Sequence, residues 1–181
     1  MSKSSAAEAF ERTIKDAEGL LARFDEENSN SPTNDSEILK RAGMIMAVAA
    51  WETYVKERIV DEIDVWLRSI EGSPVGKFVR RRLNEELKRF FNPNTEKTKR
   101  LFFEFFEIDI TLGWKWGNYD PPTAKKALDA LVSKRGDAAH KANSSPNPDG
   151  APHVIKRDEL QKAIRFLRGL VTATDQVTLA K

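Results

Sequence analysis

The stretch EILKRAGMIMAVAAWETYVKERI, residues 37–59, decides how this chain is read. From Ile38 to Ala50 it is apolar almost all round, and a helix of that kind is buried on most sides. Further on, Trp51, Val55, Ile59 and Ile63 hold an i, i+4 row. The pattern continues to about Ile70, which is long for a globular helix, so a kink or break after about residue 60 stays open as an alternative. EGSP (71–74) ends it. Upstream, Asn34 followed by Glu37 has the form of a capping box and marks a helix start.

Working outward, helical spacing dominates in both directions. Residues 5–27 place Phe10, Ile14, Ala17, Leu21 and Phe24 on one face, and NSNSPTNDS (28–36) is dense in turn formers. A basic amphipathic helix is expected from about Val75 to Phe91, followed by the turn NPNT (92–95). In LFFEFFEIDI (101–110), Leu101, Phe105 and Ile108 repeat at helical spacing, while the tail alternates and is compatible with extended chain. GWKWGNYDPP (113–122) is irregular, and Asp120–Pro121 forms a cap and first turn. A helix from about Pro121 to Ala142 buries Ala124, Ala127 or Leu128, Leu131 and Arg135. A loop with three prolines (143–153) precedes the last helix, from about Arg157 to Val177. The pattern predicts an all-α bundle of five or six helices. We expect one domain over 1–181, with an N-terminal helix within 1–30 and the bundle proper over 37–178.

Composition narrows the chemistry. The 181 residues are 40% apolar and 32% charged, with a net charge of +2. Neither a polybasic nor a strongly acidic protein is indicated, although a pI near 8.8 suits an anionic partner. There are no cysteines, which removes disulfides, thiol nucleophiles and cysteine zinc sites. No apolar run approaches a membrane span of roughly 18–20 residues. The charged N-terminus lacks the apolar core of a signal peptide, so a soluble cytoplasmic protein is expected.

The segment that carries chemistry is KRGDAAHK, residues 134–141. Arginine is a permanent cation whose planar fork suits phosphate oxygens. Histidine moves protons near neutral pH, because its free pKa is about 6.5. Arg135 and His140 therefore suit phosphodiester chemistry that needs no metal or cofactor, the first stabilising charge and the second delivering or accepting a proton. Five residues turn an ideal helix through about 500°, leaving the two side chains about 140° apart. They converge only if the helix ends or distorts near His140, or if a second copy supplies the partner groups. Gly136, which interrupts the helical run at a cost of about 1 kcal/mol relative to alanine, with Ala138 and Ala139, keeps the surface thin enough for a tight helix contact. The plain alternative is a solvated last turn, where basic groups are favoured by the helix dipole.

Three stretches together resemble the HEPN superfamily, most closely its RiboL-PSP-HEPN branch. They are residues 37–59, GWKW with ALDALVSKRGDAAHK (within 113–141), and RDELQKAIRFLRGLV (157–171). The family motif is Arg-x4–6-His, and Arg135 with His140 matches its shortest form. A polar residue often follows the arginine in the superfamily. This chain has Gly136 there, with Asp137 as a substitute. The resemblance implies an all-α bundle that forms a homodimer with two motifs facing across a cleft. It also implies metal-independent RNA cleavage, in which the ribose 2′-hydroxyl attacks its own phosphate and leaves a 2′,3′-cyclic end. A role as a toxin or phage-defence effector is implied with it, with an antitoxin or another protein as partner. Some members are non-catalytic, so the alternative is a HEPN domain that binds RNA or a protein through the same cleft.

Several other residues are candidates for support. Glu52 is a carboxylate on the apolar helix, positioned either to hold Arg135 or to tune a histidine; the alternative is an exposed side chain. Lys134 and Lys141 flank the motif as candidate RNA contacts. Trp114-Lys115-Trp116 interleaves aromatics with a cation, as RNA-stacking platforms do, although loop tryptophans also plug cores. Arg80, Arg81, Arg82, Lys88 and Arg89 either track a phosphate backbone or form a solvated face paired with Glu85 and Glu86. His153 is read as surface. Asp61, Glu62 and Asp64 do not share a helical face, which argues against a metal cluster.

Overall fold

A computed structural model describes residues 4–27, 34–140 and 155–177, with the backbone alone described at 34–36 and at 140. Among these residues the chain forms six α-helices and no strand. They are α1 (Ser5–Glu27), α2 (Asn34–Leu67), α3 (Pro74–Arg89), α4 (Thr95–Phe106), α5 (Pro121–His140) and α6 (Arg157–Asp175).

The long apolar helix is continuous. α2 runs 34 residues without a break and then tightens into a 3-10 turn, Arg68–Ile70. The alternative of a break after residue 60 does not occur, because Ile59, Ile63 and Leu67 keep the i, i+4 row buried to the end. A moderately hydrophobic helix this long needs tertiary partners, and α1, α5 and α6 supply them. Trp51 sits at the centre, stacked on Tyr54 at 5.5 Å and meeting Trp114 edge-on at 6.2 Å. Aromatic pairs in these geometries add about 0.5–1.5 kcal/mol beyond the area they bury.

The connections follow local chemistry. Ser73 caps α3, accepting from the Gly76 N–H at 3.0 Å, with Pro74 in the first turn. Asn94 caps α4 in the same way through Lys97. Glu107 ends α4 with a left-handed φ of 55°. The alternating tail that follows is not extended chain: Ile110–Gly113 forms a 3-10 turn, with Asp109 accepting from the Thr111 N–H. Asp120 caps α5 through the Thr123 N–H at 2.9 Å. Trp116 and Tyr119 pair across a tight turn, and Trp116 lies flat on α6 at Gly169. A Cβ on Gly169 would stand 2.0 Å from the indole nitrogen, so only glycine admits this packing. No helix among the described residues is long and apolar enough to cross a membrane.

Candidate active site

Arg135 occupies the row of α5 that faces the core. Ala124, Leu128, Leu131 and Ala138 are buried along that row, and Arg135 lies between the last two, half-buried. A guanidinium in such a place needs partners. It has one: Nη1 donates to the side-chain oxygen of Asn92 at 2.8 Å. Its Nε is buried with no acceptor. No carboxylate pairs with it among the described residues, so the charge is met only by a neutral amide. A buried donor without a partner costs about 1–3 kcal/mol, and an unsatisfied group of this kind calls for an explanation beyond stability.

Asn92 is the residue that sequence reasoning missed. It lies 43 positions from Arg135, in a segment read only as a turn. The turn is locked from three directions. Trp51 Nε1 donates to the Pro93 carbonyl at 3.0 Å, the Thr95 N–H donates to Asp129 at 2.8 Å, and the Thr95 hydroxyl donates to the Lys125 carbonyl at 3.1 Å. These bonds tie the NPNT turn to α2 and α5 and set Asn92 beside Arg135. Its φ of 53° is a left-handed conformation that asparagine tolerates better than most residues. A turn-forming asparagine was legible; its long-range partner was not.

Gly136 does not interrupt the helix. α5 is continuous from Pro121 to His140, so the helix does not break at the glycine; an end or distortion near His140 falls at the edge of the described residues. A Cβ built on Gly136 meets no described residue within 4 Å. The position is half-buried, Asp137 beside it is exposed, and Ala138 is in the core. The side chain of His140 and all of Lys141 and His153 lie outside the described residues.

The supporting residues divide. Glu52 is not brought to Arg135: its carboxylate accepts from Lys56 at 2.7 Å, one turn along the same helix. Lys134 is engaged by Glu159, whose other oxygen accepts from the Lys156 N–H at 2.8 Å and so caps α6. Burial pushes the Glu159 carboxyl up, but Lys134 and that cap outweigh it and hold the group below its usual range. Lys134 thus ties α5 to α6. Trp114 is fully buried against Trp51 and offers no face to a base, so it plugs the core. Trp116 is half-buried, stacked on Tyr119 at 4.8 Å with the Phe166 ring tilted against it at 5.6 Å. Among the described residues no cluster of His, Asp or Glu could hold a metal ion.

An all-α bundle whose core-facing helix carries Arg-x4-His defines a HEPN-type domain. The RiboL-PSP-HEPN family model matches residues 10–180, and the chain belongs to that family. The match includes most of α1, beyond the region from residue 37 that carried the resemblance. No curated protein and no solved structure matches the chain.

Proposed function

We propose that the protein is a metal-independent endoribonuclease that works as a homodimer. The observation that carries this reading is the state of Arg135: a half-buried cation that has, among the described residues, one neutral acceptor, no partner for its Nε and no carboxylate. That is the arrangement an anion completes. In the proposed reaction Arg135 holds the scissile phosphate and stabilises the charge that develops on it. His140 transfers a proton, either from the attacking 2′-hydroxyl or to the leaving 5′-oxygen. The 2′-oxygen forms a bond to phosphorus as the bond to the 5′-oxygen breaks, giving a 2′,3′-cyclic phosphate and a free 5′-hydroxyl. One histidine per chain serves one of the two proton transfers, and a second copy supplies the other.

The unbroken α5 supports the two-chain reading. On a regular helix Arg135 and His140 lie about 140° apart, which favours a second copy as the source of the completing group. The open space over Gly136 supports it too. Glycine there weakens the helix by about 1 kcal/mol and serves no close approach to another described residue, which leaves room for a neighbouring backbone. A toxin or phage-defence role fits this activity.

The test uses single-stranded RNA with EDTA present. Wild-type protein is expected to leave cyclic-phosphate ends, and Arg135→Ala and His140→Ala are each expected to lose about 10²–10⁴-fold in rate. DNA, which lacks the 2′-hydroxyl, should survive. RNA that is bound but uncleaved by wild-type protein would instead assign a non-catalytic HEPN domain. Expression in cells should arrest growth, and the His140→Ala variant should not.

A further inference from the structure

Beside Arg135 an aromatic ring stands in the open. Phe91 is 58% exposed, and no other ring meets it among the described residues. A single exposed apolar side chain needs no explanation by itself. Phe91 is set apart by how it is held and by what it adjoins.

It is held without being buried. Lys97 Nζ donates to the Phe91 carbonyl at 2.7 Å and stands over one face of the ring, 4.4 Å from its centre. The Phe91 N–H donates to the Arg89 carbonyl at 3.1 Å. The next residue opens the NPNT turn, which Trp51, Lys125 and Asp129 pin to α2 and α5. Ordering a chain costs conformational entropy that burial normally offsets, yet Phe91 stays largely in water.

It also adjoins the candidate site. Asn92 bonds Arg135, which puts the Phe91 Cα within about 10 Å of the guanidinium, given a step of about 3.8 Å between consecutive Cα atoms. Thr95 bonds at Lys125 and Asp129 and Asn92 bonds at Arg135, so the turn climbs α5 towards its C-terminal end. Around that helix Lys125 and Asp129 lie about 80° and 120° from Arg135, and Gly136 and position 140 lie about 100° and 140° away in the same sense. The turn and the Gly136–His140 surface therefore share one side of α5.

The surroundings select the occupant. No Asp or Glu occurs between Leu87 and Thr95, and the exposed neighbours in the chain are Lys88, Arg89 and Asn92. A docked amphipathic helix needs a run of apolar contacts, which one ring among cations and amides does not supply. A nucleobase needs only a π-face. It stacks flat, keeps its edges in water and carries its phosphate into the positive field.

We propose that Phe91 is the platform for one nucleobase of single-stranded RNA, beside the phosphate that Arg135 holds. The placement rests on the ribonuclease reading, and the experiment separates the two. Binding is read by anisotropy of a fluorescein-labelled single-stranded RNA with the full chain, in a His140→Ala background so that the strand stays whole. Phe91→Ala should weaken binding about 5–100-fold, the worth of one stacked base. Phe91→Tyr and Phe91→Trp should bind as well as the parent, while Phe91→Leu, apolar but without a π-face, should fall with alanine. Phe78→Ala, as exposed but roughly 16 Å of helix away along α3, should change nothing. Among RNAs with a single abasic nucleotide at successive positions, one should make Phe91→Ala indifferent. With His140 present, the loss should fall on KM with kcat little changed, as for a contact made equally in ground and transition states. Melting temperature is checked for each variant; Lys97 bonds the backbone carbonyl of Phe91, which every substitution keeps.

Unchanged binding and KM in Phe91→Ala overturn the proposal and leave the cleavage reading standing, because Arg135 and His140 are untouched. Phe91-dependent binding by wild-type protein that cleaves nothing supports the platform and retires the enzyme. Binding restored by Phe91→Leu, or a homodimer that Phe91→Ala dissolves, assigns the ring to apolar contact and overturns the proposal. So does wild-type protein that binds no RNA.

Discussion

The dipeptide Arg-Gly occurs twice in core-facing helices, at 135–136 in α5 and at 168–169 in α6, and the two copies have opposite surroundings. Arg168 is saturated. Its guanidinium forks onto Glu18 and Glu11 of α1, and the Glu18 hydrogen bond holds it above its usual range. Gly169 is pressed under the Trp116 indole, with no room for a methyl group. Among the described residues Arg135 has one neutral acceptor and a buried Nε without any, and nothing stands over Gly136. The α6 pair is consumed by the chain's own packing. The α5 pair is left incomplete, and incompleteness in an otherwise closed bundle is what distinguishes a site from a seam.

Four predictions press on this contrast. The widest gap should appear between the two arginines. Arg135→Ala should cut the cleavage rate by about 10²–10³-fold or more with little change in melting temperature. Arg168→Gln should leave the rate alone and lower stability slightly, since exposed pairs are worth about 0–1 kcal/mol. Equal rate losses in both variants would erase the distinction.

Next comes Asn92. Asn92→Asp keeps the turn geometry and gives Arg135 a carboxylate. The new pair should compete with phosphate and slow cleavage by about 10–100-fold, the worth of one charge-assisted hydrogen bond. Stability should be unchanged or higher. An unaltered rate, measured at saturating and at limiting RNA, would mean that the charge of Arg135 is not used.

The glycines should then move in opposite directions. Gly169→Ala forces the indole aside and should cost about 1–3 kcal/mol in urea denaturation. Gly136→Ala should stabilise the isolated chain by about 1 kcal/mol, while weakening self-association and cleavage by filling the space meant for a neighbouring backbone. Stabilisation with self-association unaffected would place the dimer contact elsewhere.

The smallest effect concerns pH. The hydrogen bond from Arg157 holds the Asp25 carboxyl below its usual range. Its folded value lies below its unfolded one, so the contribution is fully present above about pH 4 and is lost as pH falls through the lowered value. Both side chains are well exposed, which limits the gain to about 0.5 kcal/mol or less. Asp25→Asn should lower the urea midpoint slightly at neutral pH, and the difference should shrink as the pH falls below about 4.

These contrasts also show what the residues reveal unaided. α2 was legible because thirteen nearly unbroken apolar positions admit no exposed helix, and Arg135 was legible because it falls in register with Leu128 and Leu131. The caps at Asp120 and Ser73 follow from local chemistry. What escaped was set by distance along the chain. Asn92 meets Arg135 only because Trp51 and Asp129 pin the intervening turn. Nothing in the sequence marks Glu159 as the partner of Lys134, or tells that Glu52 turns to Lys56 and not to Arg135. Trp114 and Trp116 look alike in sequence, yet one is sealed behind Trp51 and the other lies on Gly169.

The central claim is that two chains bring their α5 helices together over Arg135, Gly136 and His140. The chain has no cysteine, so Ser133→Cys, on the exposed side of α5, gives one label site per copy. Spin labels there should report a single separation of about 24 Å or less, two helix diameters, in protein that cleaves RNA. Active protein with no paired label, or with labels held farther apart than that, would contradict the account.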